Sequence, residues 1–208
     1  MNLGDYGEEV FRVAIMGGIG SGKSAVTQYL AAKGAVVVDA DEVARDVVQV
    51  GEPAWQQLRD AFGDGVLSPD RCLDRAFMAE IAFHDATALR RLNLITHGAI
   101  GLRMATLIEQ ARDSELIAVA LPLYREFHRE FFGLQEVWCV TAPESVARQR
   151  LTGPRGLSST DAAARLAAQI TNGERVLMAD VTIDNHGTLD ELHDAIDALL
   201  NERGLLRD

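Results

Sequence analysis

Lysine is nearly absent from this sequence: Lys23 and Lys33 are the only two in 208 residues, and 20 basic side chains stand against 31 acidic ones, for a formal net charge of −11. A chain so short of clustered positive charge has no broad attraction for nucleic acid or an anionic membrane, because that attraction comes from arrays of Lys and Arg. An anionic ligand must then be met by local positive features, so each lysine's position carries information. Cysteine is equally scarce. Cys72 and Cys139 lie far apart and form no CxxC pair, which fits two reduced, buried thiols of a cytoplasmic protein better than a disulfide framework. No apolar run approaches the length of a membrane span. The opening MNLGDYGEEV is acidic and has no basic segment followed by an apolar one, so no secretory signal is expected.

What is present is the balance of a folded protein, with 48% hydrophobic and 25% charged residues. The length allows one main core and a smaller inserted lobe. Apolar, β-branched runs at Phe11–Met16, Ala35–Asp39, Leu116–Leu121, Glu136–Val140 and Val181–Asp184 predict buried strands. Helical periodicity fills Ala25–Lys33, Ala86–Arg112 and Leu189–Asn201. Strands alternating with helices predict an α/β fold with a parallel five-stranded sheet flanked by helices. The alternation is uneven. It places the core at about 11–41, 114–147 and 175–204, with a helical lobe inserted at about 42–113. A polar segment at about 148–172, containing TGPRGLSS, is expected to be a mobile cover.

The strongest local signal is Gly17-Gly18-Ile19-Gly20-Ser21-Gly22-Lys23-Ser24, which satisfies GxxxxGK[ST] directly after a predicted strand and directly before a predicted helix. Glycines permit positive φ and bring backbone N–H groups against phosphate oxygens, and the helix N-terminus adds a favourable dipole. Gly18 to Ser24, with Ala25 in the following turn, are therefore the expected ATP-binding residues. Lys23 is expected to reach the β and γ phosphates, and Ser24 to place its hydroxyl on Mg²⁺.

The second predicted strand ends in Val38-Asp39-Ala40-Asp41, two carboxylates two residues apart. Ligands of α/β sheets gather at the C-terminal ends of strands, and an acceptor hydroxyl needs a carboxylate to orient it and take its proton. Asp41 fits that role, with Asp39 orienting the site or helping to hold hydrated Mg²⁺. The plainer alternative is that Asp41 caps the helix beginning near Glu42. Arg45, four residues on, either faces the same cleft or pairs with Asp41.

GGIGSGKS followed by VVVDADEVAR resembles the opening of the dephospho-coenzyme A kinase family. Further segments extend the resemblance in order: Leu73-Asp74-Arg75 with Ile81-Ala82-Phe83, Leu92 to His97, Leu121-Pro122-Leu123 with Glu126, Leu166 to Gln169, Arg175, and Ala179 to Gly187. The resemblance implies a P-loop nucleoside-kinase-like core with a helical coenzyme-A lobe and a lid. It also implies transfer of the γ-phosphoryl group of ATP to the 3′-hydroxyl of dephospho-coenzyme A. By the same resemblance Asp41 is the base, Arg75 and His97 lie on the acceptor side, Arg150 belongs to the lid and meets phosphate charge during transfer, and Asp184 and Asn185 belong to the nucleotide-side loop. Asp39, Arg45 and Pro122 are also expected to bind the acceptor. For Arg75 and Arg150 the alternative is a solvated helical arginine, for His97 a buried structural histidine, and for Asp184 to Gly187 a tight turn.

Some positions depart from the family pattern. The usual His-Pro is His97-Gly98, a PLLFE-like stretch reads Pro122-Leu123-Tyr124-Arg125-Glu126, and Pro154-Arg155 replaces Arg-Asp before Gly156-Leu157-Ser158. These changes leave open a kinase of another small acceptor, such as a nucleoside or nucleoside monophosphate. A guanine-nucleotide switch is disfavoured, since no NKxD segment is present.

Overall fold

The structure, a computed structural model, describes residues 10–154 and 156–205. The side chains of Arg75, Ala82 and Phe83 lie outside that description, as does Arg155. Five strands form one sheet: β1 (Phe11–Gly17), β2 (Val36–Asp39), β3 (Leu116–Ala120), β4 (Glu136–Thr141) and β5 (Val181–Asp184), in the order β2-β3-β1-β4-β5. β1 pairs in parallel with β3 through Val13↔Ala118 and with β4 through Ile15↔Trp138, and β4 pairs in parallel with β5. Parallel strands covered on both faces read as unbroken apolar runs, and all five residues of β3 are buried. Edge strand β5 instead alternates, with Ile183 buried between exposed Thr182 and Asp184.

The helices are α1 (Lys23–Ala32), α2 (Ala40–Asp46), α3 (Pro53–Phe62), α4 (Arg75–His84), α5 (Ala86–Gln110), α6 (Phe127–Phe132), α7 (Glu144–Thr152), α8 (Ser159–Ala167), α9 (Asn172–Val176) and α10 (Leu189–Glu202). α10 starts at a capping box, Thr188 with Glu191, and buries Leu192, Ile196 and Leu200 at four-residue spacing. These three join Val26 and Leu30 of α1 and Val13, Ile15, Trp138 and Ile183 of the sheet in the main hydrophobic core. β1 therefore lies between β3 and β4, where the strand order reverses, and the loop after it leaves at the position that collects ligands in open parallel sheets.

The chain divides into two compact units, one around the sheet (to Val38 and from Gln110) and one from Asp39 to Glu109. The second has its own core of Leu58, Val66 and Met78, with Phe62, Leu73, Ile81 and Leu92 packed against it. α5 runs unbroken through Gly98, and a Cβ placed there meets nothing within 4 Å. Gly98→Ala should accordingly stabilise the protein by about 0.5–1 kcal/mol through lost unfolded-chain entropy. Urea unfolding measures this, and a lower midpoint for the variant would contradict it.

Both cysteines are free. Cys139 is buried in β4, where burial pushes its thiol up to about 11. Cys72 is exposed, which corrects the expectation of two buried thiols: it ends a Ser68–Cys72 turn in which Ser68 and the Cys72 amide both donate to Asp70. Among the described residues no helix is long and apolar enough to cross a membrane.

Candidate active site

The phosphate loop forms where β1 stops. Gly20 (φ 76°) and Gly22 (φ 99°) take left-handed conformations that favour glycine, and neither position has room for a side chain. A Cβ on Gly20 would stand 2.8 Å from the Ala147 carbonyl oxygen of α7, and one on Gly22 would strike the Asn185 amide. Gly22 is the N-cap of α1, and no side chain caps that helix. The positive end of the helix dipole therefore meets the loop with no capping side chain between them, an arrangement that favours an anion. Lys23 begins α1 half-buried, and Ser24 beside it is exposed.

The loop is held from one side by distant residues. Arg150 Nη1 donates to the Gly20 and Ser21 carbonyls at 3.3 and 3.2 Å, and Asn185 Nδ2 donates to the Ser21 carbonyl at 2.8 Å. Arg150 Nη2 also donates to Asn185 Oδ1 at 3.0 Å. In a trans peptide the C=O and N–H point opposite ways, so a Ser21 carbonyl turned toward these donors aims the Gly22 N–H away from them. On another side, Gln169 Oε1 accepts from the Ile19 N–H at 2.9 Å. It also accepts from Arg175 Nη2 at 2.9 Å.

Arg150 sits in the last turn of α7, and its guanidinium donates to loop carbonyls and to Asn185. It braces the loop. Asn185 is buried with both ends of its amide engaged, so its side chain supports the loop as well. The turn after it is ordered from below: Thr141 Oγ1 donates to Asp184 Oδ1, and the Asn185 N–H donates to the Thr141 carbonyl.

In the other unit, the helix-capping alternative for Asp41 fails, because Asp39 is the N-cap of α2 and its Oδ1 accepts from the Asp41 N–H at 2.7 Å. Asp41 is left exposed in the first turn, and Arg45 is exposed in the last. His97 is exposed on α5, which rules out the buried structural histidine. Arg75 is the first residue of α4, behind the cap Asp74. Pro122 is exposed just beyond β3, where the Leu121 N–H donates to the Ile15 carbonyl.

Sequence reasoning gave Gln169 and Arg175 no role, yet the structure brings both to the loop. The available signal was Thr171-x-x-Glu174, a capping box that starts α9 and fixes the backbone under Arg175. A cavity of about 470 Å³ adjoins these residues, lined among others by Gly18, Ile19, Arg148, Leu166, Gln169 and Arg175.

The family model for dephospho-CoA kinase matches residues 11–191. The dephospho-CoA kinase of Corynebacterium jeikeium (strain K411) is 43% identical over 187 residues, covering 89% of this chain and 95% of that protein. That of Thermobifida fusca (strain YX) is 42% identical over 183 residues, covering 88% and 91%. A crystal structure of a Thermus thermophilus protein superposes with a TM-score of 0.74 at 29% identity, covering 93% of this chain and 98% of that one. A phosphate loop at the reversal point of a five-stranded parallel sheet, matched along nearly the whole sequence by these relatives, shows that the chain belongs to the dephospho-CoA kinase family.

Proposed function

We propose that this chain transfers the γ-phosphoryl group of ATP to the 3′-hydroxyl of dephospho-coenzyme A, giving coenzyme A and ADP, the last step of coenzyme A biosynthesis. The observation that carries this reading is the uncapped, braced phosphate loop at Gly17–Ser24 in a chain matched by the family model over residues 11–191. Lys23 and the N–H groups at the start of α1 hold the β and γ phosphates. Asp41 takes the proton from the acceptor oxygen as that oxygen attacks the γ-phosphorus, and the bond from that phosphorus to the β–γ bridging oxygen breaks to release ADP. What supports Asp41 is its place directly after β2 and a carboxylate left exposed because Asp39 does the capping. Arg45, Arg75 and His97 are assigned to the acceptor, as cations and a donor for its phosphates.

Mg²⁺, held by the Ser24 hydroxyl at the start of α1, would reduce the mutual repulsion of the phosphate oxygens during transfer. Among the described residues no group of three or more His, Cys, Asp or Glu side chains could hold a metal. The unpaired thiols fit a reducing compartment, the cytoplasm.

The test is ADP release with Mg-ATP and a panel of acceptors: dephospho-coenzyme A, adenosine and nucleoside monophosphates. Turnover with dephospho-coenzyme A alone is expected. Turnover with a different acceptor, and none with dephospho-coenzyme A, would show that His97-Gly98 and Tyr124-Arg125 mark a changed substrate.

A further inference from the structure

Among the described residues Arg175 is the only charged side chain that is buried, with 8% of its surface exposed. Its guanidinium carries five N–H donors, yet its protein acceptors are two neutral amide oxygens, Gln169 Oε1 at 2.9 Å and Asn172 Oδ1 at 3.4 Å. The neighbouring Glu174 spends its carboxylate on the Thr171 N–H and hydroxyl. A buried cation without a carboxylate is costly, and such a cost is commonly offset where a ligand brings the opposite charge.

Its position says which ligand. A Cβ on Gly18 would stand 2.9 Å from Arg175 Nη1, so the guanidinium lies against the phosphate loop and only glycine admits it there. Gln169 Oε1, shared between Arg175 and the Ile19 N–H, locks the two in register. The backbone beneath is fixed by the capping box of α9 and by Asn172 Nδ2, which donates to the Ala142 carbonyl beyond β4. The cavity in front of Arg175 also contains Gly18 and Ile19. Arg150, by contrast, has turned its donors to loop carbonyls.

We propose that Arg175 is the arginine that binds the terminal phosphate of the nucleotide and stabilises the charge on its oxygens during transfer, with Gln169 as its positioning residue. A guanidinium held rigidly in a partly dry site makes charge-assisted, bidentate hydrogen bonds to phosphate and needs no reorganisation as charge shifts. The assignment rests on the kinase reading above. Wild-type turnover with dephospho-coenzyme A tests that reading by itself, whereas the assignment is read from nucleotide binding without acceptor.

The experiment compares ADP with a non-hydrolysable ATP analogue by calorimetry in the wild type, Arg175→Met and Gln169→Glu, together with kcat and Tm. Arg175→Met should weaken the ATP analogue about 10-fold or more while changing ADP affinity little, and lower kcat about 10²-fold or more. Gln169→Glu keeps an acceptor for the Ile19 N–H but gives Arg175 a carboxylate partner. It should leave Tm unchanged or raised and still lower both analogue affinity and kcat. The proposal is overturned if Arg175→Met weakens ADP and the analogue equally, or if Gln169→Glu keeps wild-type kinetics. Should Arg175→Met fail to fold, Gln169→Glu decides by itself.

Discussion

Asp41→Asn is expected to keep ATP binding and to lose about 10²–10⁴-fold in kcat, the usual contribution of a positioned general base. The substitution is nearly isosteric and removes only the capacity to take a proton. The fold around it should not change, because the capping contact of α2 runs from the Asp41 backbone N–H to Asp39 Oδ1 and survives any side chain at position 41. The stability cost is limited to a carboxylate lost near a helix N-terminus, about 0.3–1 kcal/mol. Calorimetry with ATP and a pre-steady-state assay of ADP formation separate binding from transfer. Full activity in Asp41→Asn would remove Asp41 as the base, and parallel losses of binding and turnover would make it a nucleotide-binding residue instead.

Gly22→Ala should nearly abolish nucleotide binding while Lys23 remains in place. Two costs act together. At φ 99° an alanine is strained, at about 1–2 kcal/mol. Its Cβ also collides with the Asn185 amide, which would have to leave the Ser21 carbonyl and Arg150. Displacing that buried amide adds about 1–3 kcal/mol of unsatisfied polar groups, and the Gly22 N–H loses its aim at the phosphate. A double-mutant cycle with Asn185→Ala tests the mechanism: the smaller side chain at 185 relieves the collision but not the strain, so the two losses should be markedly less than additive. Strict additivity would show that the brace and the Gly22 conformation are independent.

The brace itself was not legible beforehand. Arg150 and Asn185 were singled out for phosphate and nucleotide contact, because a polar residue in a kinase sequence is naturally assigned to the ligand. Whether a guanidinium faces a phosphate or a backbone carbonyl depends on which side of the loop its helix packs, and α7 places Arg150 against the Gly20 and Ser21 carbonyls. Gln169 and Arg175 were quoted as part of the family resemblance but given no role, for a related reason. The capping box at Thr171 and Glu174 fixes the backbone under Arg175, but which neighbour its side chain meets is settled only by packing.

The elements that local chemistry dictates were read correctly from the chain. β1, β3 and β4 announced themselves as apolar runs because both faces are covered, and the phosphate loop because its glycine, lysine and serine requirements fall within eight consecutive residues. The α1, α5 and α10 periodicities placed those helices within two residues of their observed ends. Choices between chemically equivalent partners belonged to the tertiary structure: Asp39 rather than Asp41 as the cap, Cys139 buried and Cys72 exposed, Arg150 on carbonyls and Arg175 against Gly18. The contacts that fix the loop join residues 129 to 164 positions apart. Propensity and periodicity act over a turn or a strand, so pairings at that separation are decided only when the sheet order and the packing of α7 to α9 bring their members together.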